Sequence, residues 1–215
     1  MIRIVAAANR RLLEDELREF DRMRGTTLVG GRATIARRYG GGSGRPGHDE
    51  AIHILVVADG RISAGSRLTP TLKPHLLSEV FPHLAAARGV PRDPAIYEWT
   101  CLVVAETPRA RDSERAAGTA LSALLEYCLD ERVRALSAII AAASLPRFHD
   151  MGWTIRPLGL PEFIDGEWTL AVTMPIDGST LASTRAFHGI DASIVVRRNV
   201  GSSVTREVGY EPFTT

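Results

Sequence analysis

The sequence predicts an α/β fold, a mixed central sheet flanked by helices. Three observations carry that expectation. Short apolar runs such as Ile52 to Ala58 and Tyr97 to Ala105 are rich in β-branched and aromatic residues. Between them stand stretches with apolar residues three and four positions apart, the helical period. The elements alternate along the chain instead of segregating into all-strand or all-helix halves, which favours helices packed on a central sheet.

Taken in order, Ile2 to Ala7 reads as a buried strand, and Asn9 is positioned to cap a helix. Leu12, Leu13, Leu17, Phe20 and Met23 fall on one face of that helix, which Arg24 ends and Gly25 stops. The segment from Thr26 to Asp49 has no period. Its glycine tract, Tyr39 to Gly47, is not a phosphate loop, because no lysine-serine pair follows it. Ile52 to Ala58 and Arg61 to Arg67 form a hairpin about Asp59-Gly60. Thr69, Pro70, Thr71 and Pro74 then interrupt regular structure. Leu76 to Ala87 reads as a short helix and Tyr97 to Ala105 as a strand. Asp112 or Ser113 is placed to cap a helix running to about Asp130, with Leu121, Leu124, Leu125 and Cys128 inward. Arg134 to Ala141 is a strand, and Ser144 caps a short helix with Pro146 in its first turn, ended by Gly152. Trp153 to Arg156 and Trp168 to Pro175 are further strands, Ser179 to His188 a helix, and Ala192 to Arg197 an additional strand.

Composition narrows the function. The chain has 215 residues, of which 45% are hydrophobic and 24% charged, with a net charge of +1. That is an ordinary globular composition with no bulk electrostatic attraction for nucleic acid. No run approaches the roughly 18 apolar residues of a membrane helix. Cys101 and Cys128 form no redox or ligand pattern, and a reducing cytoplasm is the plain expectation. The six histidines lack ligand spacing, so metal catalysis is not expected. The residue that demands an explanation is Glu98. A carboxylate in an apolar strand is costly to bury unless it is paired or has chemical work.

Around Glu98 the chain resembles the acyl-homoserine-lactone synthase (autoinducer synthase) family. The matching pieces are Gly65-x-Arg67-Leu68-x-Pro70-Thr71, Pro74-x-Leu76-Leu77, Phe81-Pro82-x-Leu84 and Glu98-x-Thr100. Met1 to Arg24 is similar to the family's opening strand and helix, and Gly152-Trp153 through Pro175 to its closing segment. The resemblance implies a GNAT-like acyltransferase domain over 1–177, with 178–215 an extension packed on the same domain. It also implies two neighbouring parallel strands, here Tyr97–Ala105 and Arg134–Ala141, that splay to admit a thioester's pantetheine arm.

The chemistry so implied joins an acyl chain to the amine of S-adenosylmethionine, followed by lactonisation and loss of methylthioadenosine. S-adenosylmethionine is a substrate and no cofactor is required; the donor is acyl-CoA or acyl carrier protein. Glu98 matches the family's base, acting directly or through a water, and Thr100 supplies a hydroxyl where the family has serine. Arg24, Arg67, Phe81, Trp99, Cys101 and Ser144 are the implied substrate-binding positions, with Arg67 orienting Glu98. The chain departs from the pattern at Cys101, where many members carry arginine, and at Thr34, in place of a tryptophan. Only Asp49 and Glu50 stand near an expected aspartate pair. Trp99, Phe148, Trp153 and Trp168 read as core or acyl-pocket wall. Separately, Arg115-x-x-Gly118-x-Ala120 fits R-x-x-G-x-A, the pyrophosphate cradle of coenzyme A-dependent acetyltransferases, or else a helix-packing glycine. Transfer to another amine, and a catalytically silent ligand-binding relative, stand as alternatives.

Overall fold

The computed structural model describes residues 1–26, 50–190, 197–200 and 203–206. An eight-stranded mixed sheet runs through it. The strands are β1 (Ile2–Val5), β2 (Ile52–Ala58), β3 (Arg61–Pro70), β4 (Ile96–Val104), β5 (Ala135–Ala141), β6 (Arg156–Pro157), β7 (Glu162–Ile164) and β8 (Glu167–Pro175). Their order is β1-β2-β3-β4-β5-β8-β6, with β7 also paired to β8. The helices are α1 (Glu14–Thr26), α2 (Leu76–Glu79), α3 (Ala110–Asp130), α4 (Leu145–Asp150) and α5 (Gly178–His188). A separate antiparallel pair, β9 (Arg197–Val200) and β10 (Ser203–Arg206), comes last. The expected strand at Ala192 to Arg197 lies almost wholly outside the described residues.

Alternation along the strands assigns the two faces of the sheet. Ile52, Ile54 and Val56 join the main core under α3, with Leu121, Leu124 and Leu136. Leu55 turns the other way, to Phe20 of α1. A side chain at Gly65 would meet the Phe20 ring at 2.7 Å, so the absence of a Cβ there lets α1 lie close on β3. α2 covers the same face as α1, in a smaller cluster of Leu76, Leu77, Phe81, Leu84, Leu158 and Ala171.

Several local expectations are corrected. A 3₁₀ turn at Arg10–Leu13 precedes α1, and Asn9 closes the bend before it instead of capping a helix. The Asn9 side chain bonds the Ala6 amide and the Ile4 carbonyl, and Leu12 is left 80% exposed. β3 continues through Thr69 to Pro70, beyond the expected end at Arg67. Leu76 to Ala87 is two elements, α2 and a 3₁₀ turn at Pro82–Ala85, because Pro82 cannot donate to a continuing helix. α3 begins at Ala110, ahead of the proposed caps; Ser113 Oγ instead lies 2.8 Å from Thr107 Oγ1. Ser144 does precede α4 but makes no capping bond. The strand expected at Trp153 to Arg156 is only Arg156–Pro157, since Trp153 turns into the core and donates from Nε1 to Thr184 Oγ1 (2.8 Å). The linking segment at Glu162 contains β7, turned into β8 by Asp165-Gly166 with positive φ at both.

α5 packs directly on α3. Arg185 pairs with Glu126, and a Cβ at Gly118 would stand 2.4 Å from the His188 Cβ. Gly118→Ala therefore loses stability by about 1–3 kcal/mol, although alanine is the better helix former. Chemical denaturation should show a lower midpoint with an unchanged slope.

Candidate active site

The site is built where β4 and β5 stop pairing. These parallel neighbours are registered only at Ile96 with Ala135, Tyr97 with Leu136 and Glu98 with Ser137. Beyond that level β4 continues on β3 as far as Val104, and β5 continues on β8 as far as Ala141. The two strands are thus held on their outer sides and part on their inner ones, leaving a wedge whose apex is Glu98.

A β-bulge sharpens this geometry. Arg67 pairs with Cys101 and Leu68 with Trp99, so Thr100 is the extra residue on β4. Strict alternation would put Trp99 and Cys101 on one face. Instead Trp99 sits in the cluster under α3, and Cys101 in the one under α1. Trp99 donates from Nε1 to the Cys101 carbonyl at 2.8 Å and packs on Phe148 and Trp153, away from Glu98. Arg67, Cys101 and Glu98 consequently share a face.

Glu98 is 1% exposed. Its Oε2 accepts the Leu76 amide at 2.8 Å and its Oε1 the Leu77 amide at 2.7 Å. These are amides at the start of α2 that have no partner within the helix, so Glu98 caps α2 from a neighbouring strand. The motif before α2 sets this up. Thr71 Oγ1 bonds the Asp93 and Ile96 carbonyls, tying the end of β3 to the entry of β4. His75 is extended, and its backbone amide donates to Ser78 Oγ (3.0 Å), aiming the next two amides at the carboxylate. Burial raises the Glu98 pKa from its ordinary 4.5 to about 7, against the lowering pull of the Leu77 and Leu76 amides and the Arg67 charge.

Arg67 is itself 2% exposed, opposite His53 on β2 and Cys101 on β4. The Thr100 hydroxyl is buried without a hydrogen-bond partner among the described residues. Phe81 lies in the cluster beneath α2. Ser144 ends the 3₁₀ turn Ala142–Ser144 that follows β5, past the last residue of β5 paired to β4. Arg24 falls in the last turn of α1, where its side chain is outside the described residues, as are Thr34 and Asp49. Trp168 is 57% exposed, stacked edgewise on Phe163, and belongs to no core. Sequence reasoning missed Thr69 and Ser137, the direct cross-strand neighbours of Glu98 on β3 and β5. Both are buried polar residues, and the hydropathy pattern hides single hydroxyls in strands.

The Arg115–Ala120 segment is corrected as a phosphate cradle. It lies inside α3, whose start is Ala110, so its amides are spent within the helix. Gly118 is covered by His188. The glycine serves helix packing against α5, and an amide cradle at this segment is not formed. Among the described residues no cluster of His, Cys, Asp or Glu could hold a metal, and no helix is long and apolar enough to cross a membrane.

The model of the autoinducer synthase family matches residues 13–183. The chain belongs to that family. The isovaleryl-homoserine lactone synthase of Bradyrhizobium diazoefficiens is similar to this chain, 39% identical over 183 residues, or 84% of this chain and 82% of the relative. Among solved structures, the CoA-dependent acyl-homoserine lactone synthase BjaI, with SAM and isopentyl-CoA, superposes with a TM-score of 0.76 at 38% identity. The match covers 90% of this chain and 91% of that one. The CoA-dependent acyl-homoserine lactone synthase MesI does so with a TM-score of 0.73 at 30% identity, covering 90% and 98%. The splayed strands expected of an autoinducer synthase are those observed here.

Because Glu98 holds its proton more tightly folded than unfolded, its ionisation opposes folding. The native state binds more protons between pH 4.5 and about 7, so its contribution is fully present below 4.5 and lost as the pH rises through 7. The loss is about 3 kcal/mol. Glu98→Gln, which cannot titrate, should flatten that part of the stability curve. It should also cost about 1 kcal/mol, because its NH₂ faces one of the α2 amides. Urea midpoints measured from pH 4 to 8 for both proteins provide the test.

Proposed function

We propose that this autoinducer synthase transfers an acyl group from an acyl-CoA thioester to the α-amine of S-adenosylmethionine. The methionine carboxylate then closes on its own γ-carbon, giving an acyl-homoserine lactone and methylthioadenosine. The observation that carries this reading is the parting of β4 and β5 immediately beyond Glu98. It provides an opening for a thioester arm with a carboxylate at its apex. The choice of coenzyme A over an acyl carrier protein is supported by BjaI and MesI, both CoA-dependent. Cys101 and Cys128, which form no disulfide, fit a reducing cytoplasm, where both substrates are made.

In this reading Glu98 receives a proton from the substrate ammonium, whose pKa is about 8. A carboxylate at about 7 is well matched to that transfer. The neutral amine attacks the thioester carbon, the C–N bond forms and the C–S bond breaks. The departing thiolate takes the amine's second proton and leaves as coenzyme A thiol. Arg67 holds Glu98 partly ionised, and the buried Thr100 hydroxyl has no hydrogen-bond partner among the described residues. In the second stage a carboxylate oxygen attacks carbon as the sulfonium leaves, so opposite charges cancel.

The purified protein should release free thiol and methylthioadenosine in equal amounts from S-adenosylmethionine and branched or short acyl-CoA thioesters. Acyl carrier protein thioesters should be poor donors. Since the base acts only when ionised, kcat should fall about tenfold per pH unit below about pH 7 and level off above it. Glu98→Gln should lower kcat about 10²–10⁴-fold with S-adenosylmethionine affinity retained by calorimetry. Wild-type turnover in that variant would remove Glu98 as the base.

A further inference from the structure

Lys73-Pro74-His75 carries the chain from the end of β3 into α2, and Pro74 has no amide to bond with. Before the proline, the Lys73 amide donates to the Pro70 carbonyl at 3.0 Å and closes a turn. After it, the His75 amide goes to Ser78 Oγ, and the Glu79 amide returns to the His75 carbonyl. A side chain spans the gap between these two halves. His75 Nδ1 lies 3.1 Å from the Lys73 carbonyl oxygen.

The surroundings fix the state of that ring. A carbonyl can only accept, so Nδ1 carries the proton. His75 is 1% exposed, and its Nε2 is buried without a partner among the described residues. A buried N–H without an acceptor is far rarer than a bare lone pair, so Nε2 is unprotonated and the ring neutral. The charges acting on it are Glu79 of α2 and Arg92 of the loop before β4, with opposite effects. Burial is the larger influence and lowers its pKa, so the ring stays neutral where the enzyme works.

His75 is also the last residue before the amides that hold the base. Its backbone is extended, with φ −145° and ψ 170°, and the next two amides reach Glu98 at 2.8 and 2.7 Å. A four-residue helix cannot keep its own direction, so a rotation at His75 would swing both amides off the carboxylate.

We propose that His75 is a positioning residue for the acyl transfer, its neutral imidazole clamping the Lys73 carbonyl and so holding the Leu76 and Leu77 amides on Glu98. This rests on the acyl-transfer reading above, through Glu98 as the base. The clamp itself moves no proton and exchanges no atom with substrate.

His75→Leu keeps much of the bulk and removes the donor, whereas His75→Asn returns an N–H close to the Nδ1 position. In the thiol-release assay His75→Leu should move the acid limb of kcat up by about one pH unit, because burial of the carboxylate is less opposed. At pH 7 kcat should fall about fivefold and recover above about pH 9. Calorimetric affinity for S-adenosylmethionine should hold within a factor of about three. His75→Asn should restore the wild-type limb, which loss of packing alone would not explain. Urea midpoints read the same coupling without substrate: in His75→Leu the pH at which the Glu98 contribution is lost should rise by about one unit. That shift should vanish when Glu98→Gln is added.

If both profiles stay at the wild-type position in His75→Leu, or His75→Asn fails to restore them, the clamp is wrong and the acyl transfer stands. If the stability profile moves and the kinetic limb does not, Glu98 is not the base, and the positioning role falls with that assignment. Should neither variant fold, nitrogen-15 NMR of the wild-type ring decides. Nδ1 must be protonated and Nε2 bare from about pH 5 to 8; a protonated Nε2, or an ordinary imidazole titration, overturns the clamp.

Discussion

The pair of hydrogen bonds from the Leu76 and Leu77 amides to Glu98 is the interaction on which the rest of the site depends. A carboxylate this deeply buried is unfavourable by several kcal/mol unless its charge is met. The helix that meets it is only four residues long and would not persist alone in water. Each therefore stabilises the other: α2 gains an acceptor for its unpartnered amides, and Glu98 gains donors. The consequence is mechanical as well as electrostatic, since β4 and the segment leading from β3 through Thr71 to His75 become one unit. A displacement of α2 would change both where Glu98 sits and how readily it ionises.

The sheet supplies the second constraint. Separating two parallel strands in a sheet's interior ordinarily exposes unpaired amides and carbonyls on both. Here β3 and β8 hold the outer sides of β4 and β5, so the inner sides can diverge without the strands dissolving. The bulge at Thr100 falls within two residues of the point of divergence. It increases local twist and reverses the facing of the β4 residues beyond it. That reversal turns Cys101 toward Phe20 and leaves Trp99 packed on Phe148 and Trp153. An aromatic cluster on one face thereby supports the apex from behind while the carboxylate faces the other way.

Glu98 was legible in the sequence because charge in an apolar strand is conspicuous, and the Asp59-Gly60 hairpin because two adjacent positive φ values need such residues. The family motif from Gly65 to Thr100 gave the neighbourhood. Register stayed hidden. The bulge arises from how β3 meets β4, and no residue type in Trp99-Thr100-Cys101 announces it. Thr69 and Ser137 are inconspicuous until pairing sets them beside Glu98. The R-x-x-G-x-A match misled for a related reason. The pattern records residue types and not the start of the helix, and α3 starts five residues before Arg115. Leu12 falls inward only on a helical period that a 3₁₀ turn does not keep.

The balance at Glu98 also explains why the site is neither fully polar nor fully apolar. More donors around the carboxylate would hold it ionised far below neutrality and leave it too weak a base for an ammonium near 8. Fewer would leave burial unopposed and keep it protonated at neutral pH. Two amides and one guanidinium charge bring it to about 7. The same compromise makes ionisation of Glu98 unfavourable to the fold, so the large core under α3 must carry a cost that has its use at the wedge. The separation is spatial as well: the core that supplies stability lies on one face of the sheet, and the group that draws on it lies on the other.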